Sequence, residues 1–488
     1  MVASATVKSS QPARLFELCG FVCYYPALIC MKNRLLISAA TAAWLFCTGS
    51  AHAERRQPAH NLEAFRAWLK DHKQPLTSVP AATDVQTLGG DLFRDKNLSL
   101  NRNQACATCH SFTPPKDPVS GHPLPASGFV DPENVETGSA VSKGSVRGKF
   151  GVLNAPSVAY AAFSPQFRWD GQAAQYVGGQ FWNGRAANLD EQAAQPFLNP
   201  FEMAMPSKWA VVTRLKENAR YRRSFEALFD LDLDQIAAYE RAPATAKPPP
   251  GVFAAYDAMT RAIATFEKIR SFNRFTSKFD FYLAGVTELT PVERHGLELF
   301  NFKALCSRCH VSEPTAATDG YVFPPLFTDF TYENIGVPRN TSIPGHPPPS
   351  LGLGGRKDVA AKSPAGNELG KHKIMTLRNV AVTAPYGHNG VFATLEEIVH
   401  FYNTRDVLGV VASDQDPGFG VRGWPRPEVP QNVNFEELGN LGLTPSEEAA
   451  LVAFMKTLTD NYPAFGNDPN VPPGTPSPFA NTPFPPFP

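Results

Sequence analysis

Two copies of the motif Cys-x-x-Cys-His constrain this chain more than any other feature of its sequence. The first copy ends at His110 and the second at His310, so equivalent positions lie 200 residues apart. Each copy places two thiols one helical turn apart and a histidine directly after the second thiol. The thiols are those of Cys106, Cys109, Cys306 and Cys309. A motif repeated over such a distance predicts two related domains, each formed around its own copy.

Haem attachment explains all three positions of the motif. Both thiols can form thioethers with the vinyl groups of one haem, while the adjacent histidine reaches the iron from the same side. A structural zinc site would need about four ligands, and no further Cys or His is obviously placed near either copy. A thioredoxin-like redox pair needs no following histidine and expects a preceding strand. The sequence therefore predicts two covalently bound haem c groups, with His110 and His310 as iron ligands.

A secretory leader is predicted over residues 31–53. Basic residues precede an apolar stretch, which ends in a small-x-small cleavage site at Ala53. The apolar stretch is shorter than the roughly 20 residues needed to cross a bilayer. Residues 1–30 lack this succession of basic, apolar and small residues. They are interpreted as an upstream over-extension of the reading frame. Cleavage would leave only the motif cysteines, so we expect a periplasmic protein that does not span the membrane.

Matching helices are predicted before the two motifs. "TDVQTLGGDLF" (83–93) and "TPVERHGLELF" (290–300) both begin with a threonine and carry Gln or Glu three residues later, which is a capping-box pattern. Gly89 and Gly296 align between them. In class I cytochrome c domains such a glycine lets the first helix cross the last one.

Closing helices complete each predicted domain. Apolar spacing indicates helices over 253–269 and 444–458, the second with a capped start and a proline at the first helical position. The expected fold class is mostly α, with two class I cytochrome c-like domains and long loops. The predicted divisions are an N-terminal segment at 54–74, an N-terminal cytochrome c domain at 75–285, a C-terminal one at 286–462 and an extended Pro-rich tail at 463–488.

The charge balance argues against one class of partner. The chain has 45 basic and 45 acidic residues, so no sequence-wide field favours nucleic acid or an anionic membrane surface. A local docking patch is compatible with this balance.

Two further stretches carry a family resemblance. "GGQFWNGRAANLDEQAAQPFLNPFEM" (178–203) and "TLRNVAVTAPYGHNGVFATLEEIVHFYN" (376–403) resemble the bacterial di-haem cytochrome c peroxidase and MauG superfamily. The resemblance runs from about residue 85 to 460. It implies a peroxidatic N-terminal haem and an electron-transfer C-terminal haem.

The resemblance also implies the residues that line the distal side of the first haem. Glu202 would be the catalytic acid and base, because peroxide must lose a proton from one oxygen and gain one on the leaving oxygen. Gln192 would hold peroxide or water, and Pro196 would keep the pocket narrow. Trp182 falls where the family places a tryptophan relay between the haems. Taken alone, Glu202 would be a solvated loop charge and Trp182 a core residue.

Iron ligation distinguishes the branches of this superfamily. Where classical peroxidases carry a histidine that caps the first iron, this chain has Ala126, which implies an open site as in the MauG branch. At the distal position of the second haem the peroxidases have methionine and this chain has Tyr402, whose phenolate favours oxidised iron. Met375 and His400 are rival ligands. His388 is expected in the second shell of that haem.

A calcium site between the haems is a further implication of the resemblance. The family uses one asparagine side chain and two backbone carbonyls, and Asn154, Thr383 and Pro385 match that pattern. Oxygen ligands suit Ca²⁺, and waters would complete the shell. The same residues would also serve simply to shape turns.

Three functions agree with these features. The first is a hydrogen peroxide-dependent oxidoreductase that oxidises an external donor, such as a small cytochrome c or a cupredoxin, through Trp182 and the second haem. The second is a MauG-like enzyme that oxidises residues of a partner protein with high-valent iron. The third is a non-catalytic di-haem electron carrier. The resemblance alone suggests a homodimer.

Overall fold

A computed structural model describes most of the chain after the predicted leader. The described residues are 62, 66, 84–316, 322–362, 366–480 and 482. The predictions for residues 1–30 and 31–53, and for most of 54–74, lie outside them. Nowhere in this part is a helix both long and apolar enough to cross a membrane.

Helices provide most of the regular structure in the described part. They are α1 Asp84–Arg94, α2 Cys106–Cys109, α3 Pro132–Thr137, α4 Leu189–Ala193, α5 Lys208–Lys216, α6 Ala219–Phe229, α7 Val252–Glu267, α8 Lys278–Leu283, α9 Pro291–Asn301, α10 Lys357–Ala360, α11 Leu395–Thr404, α12 Pro445–Lys456 and α13 Tyr462–Phe465. Helical content is nevertheless modest, and long connections carry much of the chain. The expectation of a mostly α protein is therefore correct for the regular elements only.

Short strands pair locally around the helices. The antiparallel pairs are Arg168–Asp170 with Gln175–Val177 (β1, β2), Thr315–Ala316 with Val322–Phe323 (β3, β4) and Tyr332–Glu333 with His372–Lys373 (β5, β6), and the parallel pair is Gly409–Val410 with Gly423–Trp424 (β7, β8). None is long enough to form a layer, so the strands pin loops to the helical core.

Two crossed helix pairs form the centre of the fold, as the sequence predicts. Helix α1 packs on α7, and α9 packs on α12. A Cβ on Gly89 would lie 1.9 Å from the Ala262 carbonyl oxygen, and one on Gly296 would lie 2.0 Å from that of Ala450. Both crossings therefore require glycine.

The predicted capping signals start two of these helices. Thr290 accepts a hydrogen bond from the Glu293 backbone N–H, and Thr444 accepts one from Glu447, each in a reciprocal capping box. Such caps satisfy helix N–H groups that have no intrahelical acceptor.

The described part of the Pro-rich tail, residues 463–480 and 482, packs on the protein body instead of extending from it. Phe479 is buried in the main core and meets Phe275 edge to face at 6.4 Å. The Ser477 hydroxyl donates to the Phe275 carbonyl at 2.5 Å. Apolar and aromatic residues between the prolines thus fold this segment back, because they gain burial against the first half.

A buried polar network joins the two halves. Arg378 and Asp280 form a fully buried ion pair with 3.0 Å between nitrogen and oxygen. The Arg378 guanidinium lies over the ring of Tyr160 at 4.9 Å, and the Tyr160 hydroxyl donates to Asp460 at 2.9 Å. Asn379 also donates to Asp460, at 2.8 Å. Residues from both predicted domains therefore share one set of buried charges.

Candidate active site

The first motif lines a cavity of about 360 Å³ in the N-terminal half. Both thiols and His110 contribute to its wall. The His110 Nδ1 lies 3.2 Å from the Phe129 carbonyl oxygen, which leaves Nε2 free. Burial lowers the pKa of His110 to about 4, so the imidazole is neutral and able to ligate a metal.

Two alternatives to haem attachment do not fit the first motif. Burial raises the pKa of Cys106 to about 12 and that of Cys109 further still, so both thiols are neutral. A reactive redox pair needs a thiolate of lowered pKa. Among the described residues no group of three or more His, Cys, Asp and Glu side chains could hold a metal ion. Neither a thioredoxin-like pair nor a zinc site fits this geometry.

The three predicted distal residues come together in this cavity. Gln192 lies on α4, and Pro196 and Glu202 follow in the next loop, and all three line the wall. Asn199 donates to Glu202 at 2.7 Å. Burial raises the pKa of Glu202, an effect that the positive charge of Arg185 and the Asn199 hydrogen bond partly offset. A carboxyl of this kind exchanges protons closer to neutral pH than an exposed glutamate does.

No capping histidine enters the first cavity from the described residues. Ala126 is buried and does not line the cavity. His122 is exposed in its loop. His110 is the one histidine in the described wall. The open first site stays a prediction.

The second motif lines a separate cavity of about 260 Å³. His310 Nδ1 lies 2.9 Å from the Phe327 carbonyl oxygen, which repeats the arrangement at His110. Burial lowers the pKa of His310 to about 4 and raises that of Cys306 to about 12. Residues 333–335, from the segment that follows the motif, complete part of the wall.

Tyr402 lies in the wall of the second cavity. Its hydroxyl has no hydrogen-bond partner in the described part of the chain, and burial holds its pKa well above the usual range. His400 instead pairs with Glu448 at 2.9 Å through Nδ1 and does not line the cavity. The Met375 backbone hydrogen-bonds His310, which puts Met375 near the proximal histidine. Of the three candidates, Tyr402 is best placed as a distal ligand.

Trp182 belongs to the walls of both cavities, together with residues 154–157. Its indole N–H donates to the Asn154 carbonyl at 2.9 Å. The Lys373 backbone N–H donates to the Trp182 carbonyl at 2.7 Å. Trp182 is thus held from both halves of the chain.

The three predicted calcium ligands line one cavity, and the calcium site itself stays a prediction. Asn154, Thr383 and Pro385 line the second cavity. The Asn154 amide donates to the Ala140 carbonyl at 3.0 Å, which leaves its oxygen free. Its backbone N–H donates to the His388 carbonyl at 2.9 Å. The donor set of one amide oxygen and two carbonyls suits Ca²⁺ chemistry.

A buried histidine pair beside Trp182 could not be seen in the sequence. His388 stacks on His372 with 3.6 Å between ring centroids and meets Trp182 edge to face at 6.3 Å. His388 also hydrogen-bonds Glu428, and His372 lies 2.8 Å from the Ser350 hydroxyl. His388 was predicted near the second haem, whereas nothing in the sequence pointed to its partners.

Both cavities fit a haem on the structural evidence. Each combines two thiols one helical turn apart, a neutral histidine and a largely apolar wall. Their volumes lie in or just below the range of roughly 300–1,000 Å³ for small-molecule pockets. The residues that would hold each haem are Cys106, Cys109 and His110, and Cys306, Cys309 and His310.

Comparison with known proteins assigns the class. The sequence model of the di-haem cytochrome c peroxidase family matches residues 83–288. The methylamine utilization protein MauG of Paracoccus denitrificans (strain Pd 1222) is 38% identical over 387 residues, which cover 78% of this chain and 90% of that protein. The chain belongs to the di-haem cytochrome c peroxidase and MauG family, whose members are peroxidase-type oxidoreductases with haem cofactors.

Other relatives come from both branches. Cytochrome c551 peroxidase of Nitrosomonas europaea is 28% identical over 400 residues, covering 80% of this chain and 85% of that protein. The diheme peroxidase BthA of Burkholderia thailandensis E264 superposes with a TM-score of 0.62 at 29% identity, over 79% of this chain and 88% of that one. A MauG-like protein associated with microbial copper homeostasis gives a TM-score of 0.52 at 27% identity, covering 82% and 95%. The di-haem peroxidase fold is confirmed, while the branch is not resolved.

Proposed function

We propose that this chain is a periplasmic di-haem c-type peroxidase that reduces hydrogen peroxide in the first cavity and oxidises an external electron donor through the second. The observation that carries the proposal is the meeting of Glu202, Gln192 and Pro196 in a cavity that also contains His110. Each peroxide would take two electrons and two protons and give two waters, with two one-electron donors oxidised. A small cytochrome c or a cupredoxin has the chemistry of such a donor.

Covalent haem c at both motifs is part of this proposal. The iron would supply the site at which the O–O bond of peroxide breaks. Glu202 would take the proton from one peroxide oxygen and return it when water forms, and its raised pKa brings this exchange closer to neutral pH. Gln192 would hold the peroxide by hydrogen bonds, and Pro196 would limit the space beside it.

Trp182 would carry electrons between the cavities. Its indole ring lines both cavities. The hydrogen bond that its N–H donates to the Asn154 carbonyl fixes the orientation of the ring. An oxidisable ring between two redox sites divides one long transfer into two shorter ones. A calcium ion held by Asn154, Thr383 and Pro385 would fix the same wall, because Asn154 contributes to both arrangements.

A MauG-like activity on a partner protein is the second candidate. Two observations favour it, the position of Tyr402 in the second cavity and the 38% identity to a MauG. A phenolate ligand would stabilise oxidised iron and so retain oxidising equivalents for slower reactions. Under this proposal the donor is a side chain of a bound protein. A homodimer remains a proposal by analogy with the family.

The test is steady-state oxidation of a reduced small cytochrome c by hydrogen peroxide, with fully ferric enzyme and spectra of both haems. Rapid turnover without pre-reduction is the expected result, and Trp182→Phe should slow donor oxidation while the first haem still reacts. Little turnover with a long-lived, Tyr402-dependent oxidised spectrum would favour the MauG-like function. If peroxide changes neither haem spectrum, the catalytic proposal is wrong and the electron carrier remains.

A further inference from the structure

A second carboxyl group, that of Glu267, faces the first cavity. Glu267 is the last residue of α7, is 4% exposed and lines the cavity wall. Its Oε2 is buried without a hydrogen-bond partner. Within the described residues its carboxyl forms no hydrogen bond and no ion pair. A buried polar atom left unpaired by the protein costs free energy, so its retention points to a ligand in the cavity.

The internal repeat shows that this acid is specific to the first cavity. A Cβ added to either crossing glycine would approach equivalent residues of the partner helix, since it would lie 2.8 Å from the Cβ of Phe266 in one half and 2.8 Å from that of Phe454 in the other. Glu267 and Met455 directly follow these phenylalanines, so they occupy equivalent positions. Met455 lines the second cavity. The fold therefore accepts an uncharged side chain here, and only the first half carries an acid.

The surroundings of Glu267 keep its proton in place. Burial is the main cause that raises its pKa, to about 8, and the nearby carboxylate of Asp190 on α4 adds to the effect. Glu267 also interacts electrostatically with Cys106. Arg94 of α1 stacks on Phe266 at 5.0 Å, where it forms no ion pair with Glu267. Near neutral pH the group is therefore mostly a neutral carboxylic acid, which is a donor.

No described residue of the cavity wall pairs with the Glu267 Oε2. The cavity wall also includes the apolar side chains of Ile263 and Leu189. The free oxygen is left to act on a small molecule in the cavity.

We propose that Glu267 is the second acid of the first cavity and supplies one of the two protons consumed with each peroxide. This inference rests on the proposed function. Glu202 only moves the proton that peroxide itself brings, so further protons must enter a buried site. When the O–O bond breaks, Glu267 gives its proton to the oxygen that leaves as the first water, which keeps its own peroxide hydrogen. The remaining oxygen becomes the second water with the proton that Glu202 took, one proton from solvent and two electrons from the external donor. The Glu267 carboxylate then takes a proton back from solvent.

Three substitutions in the holoenzyme separate proton supply from packing. Rapid mixing of ferric enzyme with hydrogen peroxide should show the first-haem spectral change slowed at least about 100-fold in Glu267→Gln and in Glu267→Met. Glu267→Asp restores an acid and should recover part of the rate. Glu226→Gln changes an exposed carboxyl on α6 of the same half and should react like wild type. The midpoint of thermal unfolding of Glu267→Gln, Glu267→Met and Glu226→Gln should be no lower than that of wild type. Glu267→Asp should have a lower midpoint, because the shorter side chain leaves a small cavity.

Infrared difference spectra give a second readout, independent of turnover. The band of a protonated carboxyl should be present in the resting wild type, should disappear on addition of peroxide and should be absent from Glu267→Gln. A Gln variant that reacts as fast as wild type, or a wild-type band that peroxide leaves unchanged, would overturn the inference while the peroxidase function stands. A wild type that does not react with peroxide would remove both proposals.

Discussion

Glu202 provides the sharpest prediction at the scale of single residues. Glu202→Gln retains the volume and removes the base, so the reaction of the first haem with peroxide should slow by about 10²- to 10⁴-fold. Burial raises the pKa of Glu202. Because the ionised form is the base, the wild-type rate should fall as pH decreases through this raised pKa, at a higher pH than an exposed glutamate would give.

Stopped-flow absorbance over a pH series measures both effects. Glu202→Gln should lose the acidic limb of the profile, and Glu226→Gln should keep it. An unchanged profile in Glu202→Gln would show that another group is the base.

Tyr402 is predicted to set the reduction potential of the second haem. Tyr402→Met replaces a phenolate with a thioether, which favours ferrous iron, so the potential should rise. Tyr386→Phe is a matched control, because that tyrosine lines the same cavity but donates its hydroxyl to the Val380 carbonyl at 2.8 Å. Spectroscopic redox titration measures the change. If Tyr402→Met leaves the potential of the second haem unchanged, Tyr402 is a packing residue.

At this scale the sequence predicted the residues that lie within motifs and missed those defined by distant partners. Glu202, Gln192 and Trp182 were found because their spacing matches a family pattern. Glu428 lies 40 positions from His388, and nothing in the local sequence connects them. Glu267 could have been noticed by aligning the two closing helices, where it stands opposite Met455.

At the scale of elements, the two crossings should be equally sensitive to a single added carbon. Gly89→Ala and Gly296→Ala would each bring a Cβ to about 2 Å from a carbonyl oxygen of the partner helix. Helices must then separate, and overpacking of this kind costs typically 1–3 kcal/mol. Thermal unfolding should show a lower midpoint for both. Gly171→Ala is the control, since its Cβ would meet nothing within 4 Å. Unchanged midpoints at both crossings would mean that the helices adjust without cost.

Elements with local signals were the ones that could be predicted. The capping boxes at Thr290 and Thr444 and the apolar spacing of the closing helices depend on neighbouring residues only. The tail was expected to be extended because its composition is rich in proline. Its actual position depends on the contact of Phe479 with Phe275, about 200 residues earlier in the chain, which no local pattern contains.

For the whole molecule, the shared wall and the buried network make the two halves dependent on one another. Trp182 and residues 154–157 face both cavities, so movement of either half would change both sites. The Arg378 ion pair lies beside Tyr160 and Asp460, which belong to different halves. A fold built in this way should unfold as one unit, although its sequence reads as two repeats.

Arg378→Met tests that cooperativity. The substitution leaves Asp280 buried without its charged partner, and breaking a buried ion pair costs about 3–5 kcal/mol. Because the network spans both halves, absorbance of the two haems and the helical circular dichroism should be lost in one transition at a lower temperature. Arg147→Met, at an exposed position, should leave the transition where it is. Two separate transitions in the variant or in the wild type would mean that the halves are stable independently, and that the buried charges hold the inter-cavity wall in place without joining the domains energetically.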